Sequence, residues 1–248
     1  MKIDRYKLFL IFLIILLIAV NYKTLDGFLV KNFSGQEFIQ VERVIDGDTI
    51  VVNGSSVRLL GINTPERGEK YYSEAKKFLE EKTFNKTLII ERYGKDKYYR
   101  DLAYVFDTDN ENINLKIVEN GFGNYYFPSG KDKYYESFVE AWEKCIDGNM
   151  NLCEKSQDKC ANCVIADDFE FGENLILKNK CDYDCDLTGW SVKDEGRKKY
   201  VYGNFVLKTL HETEISSEDF NESYVWTKSG DTIFLRDDVG KLVFWKPI

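Results

Sequence analysis

The chain contains a single histidine, His211, in 248 residues. A Ser-His-Asp or Cys-His engine would have to be built on that one imidazole, which sits amid acids and reads as a surface residue. There is no HExxH-type pair and no glycine-rich phosphate loop, which excludes zinc-peptidase and P-loop chemistry. Net positive charge is also missing. The formal charge is -8, which excludes a protein coated in basic surface for nucleic acid. Even the stretch from Glu37 to Phe127 holds slightly more acids than bases. Work on an anion therefore needs a local cationic site. No cysteine precedes Cys145.

Apolar residues are plentiful. At 44% hydrophobic and 15% aromatic the chain has material for a real core, and its length suits two modest domains. Lys2, Arg5 and Lys7 precede the unbroken apolar run Leu8 to Val20. That run matches a signal-peptide core and falls short of the ~20 residues that span a bilayer comfortably. No small-x-small cleavage site succeeds it, so residues 1–22 fit a signal peptide or an uncleaved membrane anchor. The charge bias places the remainder of the chain outside the cytoplasm, and the expected location is extracytoplasmic, secreted or anchored to the cell membrane. There the cysteines Cys145, Cys153, Cys160, Cys163, Cys181 and Cys185 read first as disulfides. A zinc site on Cys160-x-x-Cys163 and Cys181-x3-Cys185 is the alternative.

The hydrophobic pattern is mainly β with some α. Val41–Ile45, Thr49–Val52 and Val57–Ile62 read as strands joined by the turns Asp46-Gly47-Asp48 and Asn53-Gly54-Ser55. Helices are expected over 69–84, 113–120 and 134–146, and further strands over 87–92 and 102–106. Five strands with packed helices suit an OB-type barrel over 37–150. Residues 151–163 form a cysteine-rich linker. From Val164 to the end the pattern is again β: Leu175–Leu177, Leu187–Val192, Tyr200–Val206, Tyr224–Thr227, Thr232–Arg236 and Leu242–Trp245 suggest an antiparallel sandwich.

Chemistry-bearing residues concentrate in three blocks: Val44-Ile45-Asp46-Gly47-Asp48-Thr49, Arg58-Leu59-Leu60-Gly61-Ile62-Asn63-Thr64-Pro65-Glu66, and Asp96-Lys97-Tyr98-Tyr99-Arg100-Asp101. They hold the groups needed to seat a hard cation, neutralise a phosphate and activate a water. In order and approximate spacing they resemble the thermonuclease family, the calcium-dependent staphylococcal-nuclease-like phosphodiesterases. Asp186-Leu187-Thr188-Gly189-Trp190 and Ser229-Gly230-Asp231-Thr232-Ile233-Phe234-Leu235 resemble the lamin-tail domain, an immunoglobulin-like β-sandwich over 164–248.

The first resemblance implies a DNA or RNA substrate, a Ca2+ cofactor, departure of the 5′ oxygen and products carrying 3′ phosphates. Glu66 would activate water, while Arg58 and Arg100 would grip the phosphate through planar guanidinium forks. Asp48, with the Thr64 carbonyl and Asp46, would hold the metal. Asn63 stands where the family's second aspartate ligand usually is; it would join the metal's ligands through its side-chain carbonyl oxygen, but with one negative charge fewer the site is expected to bind calcium more weakly. Lys97 and Tyr98 match positions that contact the nucleotide, and Tyr126 offers a ring for a base. Tyr99 and Asp101 replace the usual glycines beside Arg100, and Asp101 is expected to pair with it. The membrane is a partner if the N-terminal segment is retained, and the second domain's partner is unknown. The rival reading is a catalytically impaired OB-fold nucleic-acid-binding or envelope-scaffold protein. Asn63, Asp101 and the acidic surface favour it, whereas Glu66, Arg58 and Arg100 oppose it.

Overall fold

A computed structural model of the chain describes Tyr6, residues 11–13, Leu17, and residues 37–170, 174–226 and 231–248. Most of the N-terminal segment and the Ser229-Gly230 pair lie outside the described residues.

The first half is a curled six-stranded sheet closed by helices. Its strands are β1 (Glu37–Ile39), β2 (Arg43–Asp46), β3 (Thr49–Val52), β4 (Ser55–Leu59), β6 (Leu88–Lys95) and β7 (Asp101–Phe106), in the order β1-β6-β7-β4-β3-β2. A short separate pair is made by β5 (Gly61–Asn63) and β8 (Asn124–Tyr126). All four residues of β3 are buried, as β-branched side chains in a sheet covered on both faces should be. Helices α1 (Tyr72–Thr83), α2 (Ile113–Glu119) and α3 (Tyr135–Gly148) supply Leu79, Ile117, Phe138 and Trp142 to one core. This is the OB-type barrel with packed helices expected from the pattern.

Three local differences have physical causes. The expected strand over 57–62 is two strands, because Gly61 at φ 75° turns the chain out of the main sheet. Helix α1 begins three residues later than expected, after Tyr71 at φ 70°. The strands β1 and β8 are too short to carry a period of their own.

The second half is an additional β domain. One antiparallel sheet is formed by β9 (Val164–Glu170), β10 (Asn174–Asn179) and β15 (Glu212–Ser216). Between them in sequence come β11 (Cys185–Asp186), β12 (Ser191–Lys193), β13 (Lys199–Val201) and β14 (Val206–Leu207). A four-stranded sheet runs β13-β12-β16-β17, with β16 at Thr232–Arg236 and β17 at Leu242–Pro247. Leu175, Trp190, Val192, Trp226 and Ile233 fill its core. Trp190 is thus a core aromatic. Two expected strands differ: residues 187–190 turn at Gly189, φ 81°, so β12 is confined to Ser191–Lys193, and Val225 and Trp226 form a bend instead of a strand, with Thr227 outside the described residues.

The cysteines pair as Cys145–Cys153, Cys160–Cys185 and Cys163–Cys181, so disulfides and not a zinc site account for all six. The first bridge lies in the core of the barrel half, the other two in the β half. The join is not a free linker. Leu242 donates its N–H to the Glu154 carbonyl at 2.7 Å, and Ser156 donates to the Leu242 carbonyl at 2.8 Å. Phe234 and Leu242 of the β domain also enter the barrel's core cluster.

Candidate active site

The site is built where β2, β3, β4 and β5 converge. The turn between β2 and β3 carries Asp46, Gly47 and Asp48. It needs glycine at its centre, because a Cβ on Gly47 would meet Ala75 and the Thr64 hydroxyl at 2.8 Å. Asp48 is 2% exposed and both of its carboxylate oxygens are hydrogen-bonded. Oδ2 accepts from the Thr64 N–H at 3.1 Å, the Thr64 hydroxyl at 3.0 Å and Arg58 Nη1 at 2.8 Å, while Oδ1 accepts from the Thr49 hydroxyl at 3.1 Å. Thr49 and Arg58 are register partners across β3 and β4, which is why these groups meet.

The Arg58 guanidinium is buried and held rigidly. Besides Asp48 it donates to the carbonyls of Asp48, Leu59 and Ile62, at 3.3, 3.2 and 3.0 Å. Burial pulls its pKa below the ordinary arginine range while the charges of Asp48 and Asp46 push it back up, and the nearby Arg100 and Arg197 cations lower it further. Asp46 accepts from the Asp48 N–H at 3.1 Å. Burial first, and the Asp48 charge second, raise its carboxyl to about 6. Two adjacent carboxylates, one of them reluctant to ionise, together with threonine oxygens form an all-oxygen donor set that fits a hard divalent cation.

Glu66 follows Pro65 at the exposed rim. Its N–H donates to Glu69 Oε2 at 2.8 Å, and its carboxylate forms an ion pair with Arg197 of the second domain. Sequence reasoning missed Arg197 entirely. On the β6–β7 hairpin, Lys97 Nζ and the Arg100 guanidinium lie 5.1 and 5.6 Å from the Tyr98 ring centre, so Lys97, Tyr98 and Arg100 form one cluster. The expected Arg100–Asp101 pair is not formed. Asp101 opens β7 opposite Lys95 of β6 and pairs with Arg92 and Lys95, each at 2.6 Å. Arg100 Nε pairs instead with Asp96 at 2.7 Å. Tyr99 holds φ 63°, the left-handed conformation that explains glycine in the resembling pattern.

Asn63 has a role not foreseen for it. Its amide nitrogen donates to the carbonyl of Gly196 at 2.7 Å and to that of Glu195 at 3.4 Å. Asn124, its register partner on β8, donates to the Glu195 carbonyl at 2.8 Å. Tyr126 is half-buried beside the same segment: a Cβ on Gly196 would lie 3.4 Å from its ring. Burial and the Asp194 charge raise its pKa, and the Arg58 and Arg197 charges oppose them. His211 is exposed and far from this chemistry in sequence, bonded through Nδ1 to the Thr209 carbonyl.

A curled OB-type sheet whose mouth gathers carboxylates and guanidinium groups defines a class, the small-barrel phosphodiesterases. The Staphylococcal nuclease homologue family model matches residues 56–154. A thermonuclease of Staphylococcus intermedius is 32% identical over 169 residues, covering 62% of this chain and 99% of that protein. A thermonuclease of Staphylococcus hyicus is 30% identical over 153 residues, covering 56% and 90%. A micrococcal nuclease of Shigella flexneri is 34% identical over 117 residues, covering 41% and 67%. The chain belongs to the staphylococcal nuclease family. It is a nuclease, a hydrolase of phosphodiester bonds in nucleic acid.

Proposed function

We propose that the chain is an exported or membrane-anchored, calcium-dependent nuclease that hydrolyses DNA or RNA with Glu66 activating water and Arg58 and Arg100 neutralising the phosphate. The observation that carries this reading is the buried Asp48–Arg58 ion pair, tied to Thr64, two residues before Glu66. It fixes a guanidinium that has no ordinary core role beside a cluster of oxygens suited to a cation. Asp46, Asp48 and the Thr64 carbonyl would hold the calcium ion, which when bound supplies positive charge beside the phosphate. Asn63 spends its amide nitrogen on the second domain, which leaves its Oδ1 as the neutral oxygen it would offer the same ion.

The division of labour comes from geometry. Arg58 is immobile and can grip without reorganisation, a condition under which fixed donors are most effective. Arg100, on an exposed hairpin with Lys97 and Tyr98, can approach from the other side and stack or pair with the nucleotide. Attack by water at phosphorus, with the 5′ oxygen leaving, would give 3′-phosphate products. Export is supported by the charged-then-apolar start of the chain and by three disulfides in the described residues.

The test is cleavage of single-stranded DNA by the full chain in calcium, in chelator, and by Glu66→Gln. We expect calcium-dependent cleavage, reduced on the order of 10² to 10³-fold or more by the substitution. Equal cleavage by wild type and Glu66→Gln would remove Glu66 from the mechanism.

A further inference from the structure

The tip of the β12–β13 hairpin, residues 194–198, reaches from the second domain onto the rim of the nuclease site. It is bolted there. The Glu195 and Gly196 carbonyls accept from Asn124 and Asn63, and the Glu195 carboxylate accepts from the Phe127 N–H at 3.2 Å and the Thr232 hydroxyl at 2.8 Å. Asp194, Glu195 and Gly196 are all buried. The next residue, Arg197, is the first to emerge, with its side chain 61% exposed against a Glu66 side chain 48% exposed. Such anchoring fixes the backbone of Arg197 while leaving its guanidinium free to move.

Beside it, a cleft of about 370 Å³ opens between the domains. Lys70, Lys193, Lys199 and Arg236 line it, against the acids Glu69 and Asp238. In a chain of net charge -8, this local excess of cations adjoins the site where a phosphate is handled. The cleft shares Asn63 and Pro65 with the loop that carries Glu66.

We propose that Arg197 is a third phosphate-binding arginine of the nuclease site, supplied by the second domain to grip the phosphate next to the scissile one. The inference rests on the roles proposed for Glu66, Arg58 and Arg100. In the substrate-free protein Arg197 pairs with Glu66 through Nη2; when a strand binds, the guanidinium exchanges that carboxylate for a phosphate, to which its planar fork can donate two hydrogen bonds. Magnitude decides against the Glu66 contact being a lock. An ion pair this exposed shifts an equilibrium by roughly fivefold at most, too little to hold an enzyme off and small enough for a phosphate to displace.

The experiment uses the full chain as wild type, Arg197→Ala, Arg197→Lys, Glu66→Gln and the double variant Glu66→Gln/Arg197→Ala. The probe is a fluorescein-labelled single-stranded DNA decamer. Cleavage is measured as kcat and KM in calcium. Binding to the two Glu66→Gln proteins is measured by anisotropy across a range of salt. Arg197→Ala is expected to raise KM about tenfold with a smaller change in kcat, and Arg197→Lys to recover part of that loss. The slope of log K against log salt should fall in magnitude by about 0.7 on loss of one phosphate contact to single-stranded DNA. An unchanged KM and slope, or a rise in kcat/KM in Arg197→Ala, would overturn the proposal, the rise marking Arg197 as an inhibitory clamp. Should wild type fail to cleave, the catalytic reading fails by itself, and the binding slopes still decide Arg197.

Discussion

Asn63 is the residue at which the chain parts from the pattern it resembles, and the structure gives the departure a purpose. An aspartate there would offer an anionic oxygen to a cation, whereas the asparagine offers N–H donors to two carbonyls of the second domain. The substitution Asn63→Asp would therefore place a carboxylate, in a position 4% exposed, against acceptors it cannot bond. The expected cost is on the order of 2 to 4 kcal/mol, read as a drop of several degrees in the thermal midpoint. An unchanged midpoint would mean that the new carboxylate has turned to a cation instead. Most of the candidate site is legible in the sequence because Asp46, Asp48, Arg58, Thr64 and Glu66 crowd into one short span whose strands pair locally. Arg197 is not. It comes from 131 positions beyond Glu66, as the two numbers give by subtraction, and a lone arginine beside Gly196 and Lys198 looks like surface charge. The partner of Arg100 escapes for a simpler reason: the turn over 96–100 folds Asp96 back onto Arg100, while Asp101 joins the strand register.

Among elements, the break between β4 and β5 organises the site. Gly61 carries the chain from the main sheet to the β5–β8 pair, which brings Thr64 to Asp48 and sets Asn63 opposite Asn124. Its φ is 75°, and a Cβ there would meet two ring carbons of Phe138 at 2.8 and 2.9 Å. Backbone strain and overpacking act together, so Gly61→Ala should destabilise by about 2 to 4 kcal/mol. A lowered urea midpoint checks this; a neutral result would free the break from its glycine. The apolar residues Val57, Leu59, Leu60 and Ile62 suggest one strand, because periodicity registers side chains and not a turn in the backbone. The same limit merges β13 with β14. By contrast β3, β7, β10 and β16 are legible, each an apolar run bounded by turn residues.

At the scale of the whole molecule, the two halves are joined through a buried acid. Burial foremost, with the Asp231 charge adding, raises the Glu195 carboxyl from its ordinary 4.5 to about 7. Asp194 is raised to about 6 by burial and by Asp231. Linkage sets the sign. With the folded pKa above the unfolded one, the protonated carboxyl favours the folded state. That contribution is complete below about pH 4.5 and is lost as pH rises through about 7. For Glu195 it amounts to about 3 kcal/mol. Glu195→Gln mimics the protonated group, keeping an acceptor for the Phe127 N–H. Its thermal midpoint should therefore fall less between pH 5 and pH 8 than that of wild type, by about 5 °C or more. Equal slopes would remove Glu195 as the source of the pH dependence.

The disulfides set how far the halves can part once that docking loosens. Cys153 is locked to the barrel half and Cys160 to the β half, so only residues 154–159 lie between fixed points. Fully stretched, a tether of that length spans about 20 Å. An undocked hairpin remains on a short leash, at an effective concentration on the order of millimolar near the rim it left. Dilution of the protein would not weaken its return.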